Sequence, residues 1–198
     1  MTVGFSLDNI EFSPDTLRKL PNHSALLGQI VTSFSLIEGV VGGIYGMLRH
    51  QDIEAAVQHL KDLRTNAMRV HAVKKEIEND ATLSLVPANA ELMDAILRYA
   101  EKRNKVAHGI WGYDADKPDM AFRLPVKKWI NFVAKIVASG TAGNSDEQID
   151  ELKSELEEYS LDMLQSLKTE GTAILQAVLE LFNSLAMKAA RSDDWTAG

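Results

Sequence analysis

Between residues 24 and 50 the apolar side chains Leu26, Leu27, Ile30, Val31, Phe34, Ile37, Val41, Ile44 and Leu48 recur mostly three and four positions apart. That spacing places them on one face of an α-helix. A helix apolar on one side must bury that side against other elements, so the segment dictates a packed, helix-rich domain. The same period returns in residues 53–79, through Ile53, Val57, Leu60, Leu63, Ala67, Val70 and Ile77, with Asp52 placed to cap the start. A third segment runs from the candidate cap Asn89 through Leu92, Ile96, Tyr99 and Val106 to His108. A fourth spans residues 146–191, acidic at its start, with Gly171 as the point where it would bend. Long amphipathic segments joined by mostly short connectors predict an all-α fold, an antiparallel bundle of four or five long helices.

The remaining stretches fit around that bundle. Residues 1–23, broken by Pro14 and Pro21, read as an extended arm, residues 24–191 as a single helical domain and residues 192–198 as a tail. After the third helix, Ile110-Trp111-Gly112-Tyr113 and Met120-Ala121-Phe122-Arg123-Leu124 suit a small hairpin turning within residues 114–119. Residues 126–137 fit helix and strand equally, and residues 139–145 read as a glycine-containing linker. In the first helix Gly39, Gly42, Gly43 and Gly46 form a cluster that suits close helix packing, a contact between two copies, or a phosphate approaching the backbone.

The third segment carries the chemistry. On a helical wheel with roughly 100° per residue, Arg103 lands inside the apolar stripe formed by Leu92, Ile96, Tyr99, Ala100, Val106 and Ala107. A guanidinium stays charged in a protein, so one aimed at a core needs a carboxylate, a phosphate or water. His108 follows five positions later, roughly 140° around the axis, whereas Asn104 and His108 share a face. Two readings of the helix end stand side by side. Histidine in a last turn followed by glycine is a stop signal, and a histidine beside an arginine is a proton-transfer group beside a phosphate clamp. The stop signal leaves Arg103 unexplained.

Charge limits the partners. A net charge of −7 argues against coating nucleic acid with the whole surface, but Arg98, Lys102, Arg103 and Lys105 concentrate positive charge at one helix end. Lys102 and Lys105 also suit an ordinary solvated helix end. With no cysteine and no His-Glu-x-x-His pattern, no metal site and no cofactor are expected, and His23, His50, His59 and His71 read as surface or helix-end residues. Trp111 and Trp129 suit packing of the hairpin better than stacking on bases. Residues 1–10 lack the basic start and apolar core of a signal peptide, and no uninterrupted apolar run reaches about eighteen residues, so a soluble cytoplasmic protein without a membrane partner is expected.

The motif Arg103-Asn104-Lys105-Val106-Ala107-His108, preceded by a first helix reading Phe34-Ser35-Leu36-Ile37-Glu38, resembles the HEPN superfamily of small all-helical proteins, many of them metal-independent endoribonucleases. The resemblance covers residues 24–111 and the last helix. It implies a homodimer whose two motif helices share one composite site, with Arg103, Asn104 and His108 catalytic, Glu38 supporting Arg103, and Arg98, Lys102 and Lys105 contacting RNA. It further implies cleavage by the ribose 2′-OH, a role as a toxin or defence effector, and an inhibitory partner protein. The alternative is a catalytically silent HEPN-like module that binds RNA, a nucleotide or a protein. Toxins of this superfamily that work beside a nucleotidyltransferase antitoxin often carry tyrosine two residues after the histidine; this chain has Ile110 there.

Overall fold

Eight helices and five strands occur among the residues that the computed structural model describes, which are 4–49, 52–139 and 146–191. The helices are α1 (Thr16–Lys19), α2 (Pro21–Leu48), α3 (Ile53–Asp62), α4 (Asn66–Asn79), α5 (Pro87–Ala107), α6 (Val126–Ser139), α7 (Asp146–Lys153) and α8 (Leu161–Ala189). The strands are β1 (Phe5–Leu7), β2 (Ile10–Phe12), β3 (Gly109–Asp114), β4 (Met120–Pro125) and β5 (Glu157–Ser160). They form one antiparallel sheet in the order β1-β2-β3-β4-β5. The all-α expectation is therefore wrong, and the chain mixes helices with a sheet.

The expected hairpin is present as β3 and β4, paired from Gly109 opposite Pro125 to Tyr113 opposite Ala121. Both of its edges offer unpaired backbone groups, and short segments from elsewhere satisfy them. On one side β2 pairs Phe12 with Gly112; on the other, β5 pairs Glu157 with Arg123. Three-residue and four-residue strands are too short to display a period of two, so they left no pattern in the sequence. The supposed arm instead makes a hairpin with Leu7 opposite Ile10, its tight turn holding Asp8 at a φ of 51°, a conformation aspartate tolerates.

The helix boundaries differ for local reasons. Pro21 and Pro87 stand at the first position of α2 and α5, where a missing N–H costs nothing. Asn89 thus sits inside α5, its side-chain amide donating to the Leu83 carbonyl at 3.1 Å instead of capping the start. The second segment is broken into α3 and α4. Asp52 caps α3 as expected, and Thr65 caps α4 by accepting from the Met68 N–H at 3.2 Å. The fourth segment is divided into α7, β5 and α8 by the pairing of β5 with β4, which the helix-like spacing of Leu156, Tyr159 and Met163 conceals. The ambiguous stretch after the hairpin is helix α6. Residues 140–145 of the expected linker and the 192–198 tail lie outside the described residues, as does His50.

The chain divides into two units. One comprises Met1–Gln29 and Asn104–Lys168 and contains the sheet, α1, α6 and α7. Its core joins Leu7, Phe12, Leu124, Phe132 and Leu152, with Trp129 stacked on Phe5 at 3.9 Å between ring centroids. Trp111 is likewise buried, edge-on to Tyr159. The second unit comprises Ile30–Arg103 and Thr169–Gly198. It buries Phe34, Ile37 and Ile44 of α2, Val73 and Ile77 of α4, Met93, Ile96 and Tyr99 of α5, and Val178 of α8. Gly43 serves close packing there, since a Cβ would lie 2.7 Å from the Phe182 ring. By length and composition α2 is also apolar enough to cross a membrane, an eighteen-residue stretch of it having a mean hydropathy of 1.5, although no uninterrupted apolar run within it reaches that length.

Candidate functional site

Arg103 lies on the inward side of α5 and is partly buried, as the wheel placed it. Two features of the second unit receive it. The Phe34 ring of α2 lies under the guanidinium, 5.0 Å from its carbon to the ring centroid, a cation–π distance. One turn further along α2, the Glu38 carboxylate feels the Arg103 charge. Phe34 and Glu38 are four residues apart on one helix, so a single face of α2 supplies both the aromatic contact and a nearby negative charge.

Glu38 is not reserved for Arg103. Its Oε1 lies 3.8 Å from Arg69 Nη1, and both side chains are about one-third exposed. Burial pushes the carboxyl above its ordinary value of 4.5, opposed by the charges of Arg103 and then Arg69. Arg69 itself is tied down elsewhere: its Nε donates to the carbonyls of Leu60 at 2.9 Å and Leu63 at 3.2 Å, satisfying the end of α3. Arg69 went unrecognised in the sequence because the break between α3 and α4 was unrecognised, and without the break there are no free carbonyls for it to serve. Beside this pair is a cavity of about 220 Å³, lined by Gly39, Val57, Leu60 and Asn66 as well as by Glu38 and Arg69.

Below Arg103 the packing is tight. Tyr99 is fully buried, its ring centroid 6.0 Å from that of Phe34, and its hydroxyl finds no hydrogen-bond partner among the described residues. Burial chiefly, and then the charge of Glu170, pushes this phenol up to about 12. Gly171 of α8 makes the room, because a Cβ there would lie 2.1 Å from the Tyr99 hydroxyl oxygen. The helix passes Gly171 without a break, so this glycine provides space for Tyr99.

His108 and Asn104 belong to the first unit, where both are exposed. The His108 backbone N–H donates to the Asn104 carbonyl at 3.0 Å, which continues the helical hydrogen-bond pattern one residue past α5. The imidazole therefore stands at a well-ordered helix end with access to solvent. Of the basic residues expected to meet RNA, Arg98 and Lys105 are exposed, while Lys102 is held by both carboxylate oxygens of Glu170 at 2.8 Å. A surface pair of this kind is exchangeable, since it contributes only about 0–1 kcal/mol.

Gly109 does not end α5 in the manner the sequence suggested. Its φ lies outside the left-handed region, and it opens β3. Its missing side chain is replaced by the stem of Arg123 from β4, since a Cβ at Gly109 would lie 2.6 Å from Arg123 Cγ. Arg123 is 5 % exposed, the most deeply buried charged residue described. Its Nε donates to the Lys105 carbonyl in the last turn of α5, and its Nη1 pairs with Glu157 Oε2 at 3.0 Å. The signal was present in the sequence: an arginine inside the apolar run Met120-Ala121-Phe122-Arg123-Leu124 needs a partner for the same reason Arg103 does.

His23 is the histidine expected at the surface and found inside, 2 % exposed in the first turn of α2. Burial lowers its pKa below the ordinary 6.5, opposed by the backbone of Tyr159 and Asp119 and by the Asp119 charge. His59 and His71 are exposed, His59 stacked on Tyr45. Among the described residues no three His, Cys, Asp or Glu side chains converge as metal ligands would. Comparison with family models, curated protein sequences and solved structures finds no match to this chain.

Proposed function

We propose that this protein is a metal-independent endoribonuclease with HEPN-like chemistry, acting as a homodimer. The observation that carries the reading is Arg103, a guanidinium directed at a core over the Phe34 ring and near the Glu38 charge, five positions before an exposed His108 at the end of the same helix. A charge placed so expensively suits a group that must receive a phosphate at a defined position. The ribose 2′-oxygen attacks the adjacent phosphorus, the new O–P bond forms as the bond to the 5′-oxygen breaks, and a 2′,3′-cyclic phosphate remains. His108 takes the 2′-hydroxyl proton or returns one to the leaving 5′-oxygen. Arg103 of the other protomer stabilises the charge gathered on the phosphoryl oxygens, and Asn104 orients the phosphate. Arg98, Lys105 and, on release from Glu170, Lys102 attract the RNA backbone. A nuclease of this kind suits a toxin or defence effector kept in check by an inhibitory partner, in the cytoplasm.

The test is cleavage of RNA by purified protein in EDTA, with the ends analysed for 2′,3′-cyclic phosphate. His108→Ala and Arg103→Ala should fold with wild-type circular dichroism and lose cleavage by about 100-fold or more, the scale of a lost acid–base group or charge-stabilising donor. Equal trace cleavage by wild type and His108→Ala leaves the silent binding module in its place.

A further inference from the structure

Arg123 lies in the sheet, away from the motif in sequence, yet three separate contacts fix it beside the end of α5, one to the helix itself and two to the strands. Its stem fills the space above Gly109, its Nε reaches the Lys105 carbonyl, and its Nη1 is anchored by Glu157 of β5. Glu157 is itself oriented, since the Tyr159 hydroxyl donates to the same Oε2 at 3.0 Å. Buried arginines are costly unless fully paired. Here the expense secures one carbonyl of the last helical turn, a group that would otherwise lack a partner.

We infer that Arg123 is a positioning residue for His108. Lys105 and His108 are three residues apart and bracket the last turn, and Gly109 follows His108 directly, so Arg123 bonds the backbone before the imidazole and lays its stem over the glycine after it. Without that grip the helix end frays, as termini with unsatisfied carbonyls do, and His108 samples many directions. The sheet thus acquires a use: β4 and β5 deliver a rigid cation to a helix end that carries an exposed catalytic group. This inference rests on the nuclease reading for its kinetic consequence, but its structural half stands alone.

Two measurements separate the halves. Amide exchange followed by NMR should show the His108 N–H, now bonded to the Asn104 carbonyl, exchanging at least about 10-fold faster in Arg123→Met. Gly109→Ala, whose methyl displaces the arginine stem, should act in the same direction and serves if Arg123→Met fails to fold. In metal-free RNA cleavage, Arg123→Met should lower kcat roughly 10- to 100-fold, the effect of misplacing a catalytic group, with KM within about twofold. Arg123→Lys, which keeps a donor for the carbonyl, should recover part of kcat, and Glu158→Gln, next along β5, should match wild type. Unchanged exchange at His108 in folded Arg123→Met overturns the inference, as does a loss confined to KM. Wild type without any cleavage overturns the nuclease reading, and the exchange result then decides the clamp by itself.

Discussion

Replacing Gly171 by alanine tests the packing beneath Arg103. In a helix interior this substitution normally stabilises, by about 1 kcal/mol, through helix propensity. Gly39 of α2 meets that expectation, since a Cβ there contacts nothing within 4 Å, and Gly39→Ala should stabilise by about 0.5–1 kcal/mol. At Gly171 the new methyl would lie 2.1 Å from the Tyr99 hydroxyl oxygen, 2.4 Å from Cζ and 3.0 Å from Cε1. These are far inside the contact optimum of about 3.5–4.0 Å, and Tyr99 is fully buried with Phe34 beside it. Overpacking of this sort costs about 1–3 kcal/mol beyond what propensity returns. Two chemically identical substitutions should then differ by about 1.5–4 kcal/mol. With a urea dependence of about 1–3 kcal/mol per molar, the denaturation midpoints separate by on the order of 1 M. Tyr99→Phe alone should be neutral or stabilising, because it removes a buried hydroxyl with no hydrogen-bond partner among the described residues. Combined with Gly171→Ala it should recover part of the loss, giving a coupling of about 0.5–3 kcal/mol in a double-mutant cycle. A Gly171→Ala protein as stable as wild type, or a cycle without coupling, refutes the steric argument.

Two pH dependences follow from one buried and one partly buried titratable group. His23 has a folded-state pKa below 6.5, so the native state binds its proton more weakly than the unfolded chain. Its contribution to stability is complete above the unfolded value and declines as pH falls through 6.5 towards the folded one, and His23→Leu should flatten that part of a thermal-melt series; an unchanged slope counts against its burial. Glu38 has the opposite sign, because burial raises its folded-state pKa above 4.5. The folded state is therefore favoured while the carboxyl is protonated, and that advantage is lost as pH rises from the unfolded value through the folded one. Relative to wild type, Glu38→Gln should gain stability across this rise while weakening RNA cleavage, and parallel melting curves for the two proteins would contradict the assignment.

The candidate site was more legible than the fold. Arg103 stands out because a permanent charge in an apolar stripe is an anomaly that a wheel displays without tertiary information. Glu38 is visible for the same reason, at the edge of the stripe on α2. The Glu157–Ser160 strand was illegible, because Leu156, Tyr159 and Met163 satisfy helical spacing and only pairing with β4 makes the four residues from Glu157 to Ser160 extended. The break between α3 and α4 was hidden too: Leu60, Leu63 and Ala67 keep the period through it, and the donor that makes the break stable, Arg69, arrives from beyond it.

By itself, then, the sequence determined the helices that bury a stripe, the hairpin after α5, the capping of α3 by Asp52, and the presence of an arginine and a histidine at one helix end. Those features depend on interactions between near neighbours, which periodicity and capping chemistry record. Only the tertiary structure decided that a sheet exists, that His23 is inside, that Gly109 and Gly171 make room for Arg123 and Tyr99, and that Glu38 is shared between Arg69 and Arg103. Each of these is a contact between residues far apart in the chain, and a strand edge, an empty Cβ position or a buried charge acquires its meaning from the partner that fills or neutralises it.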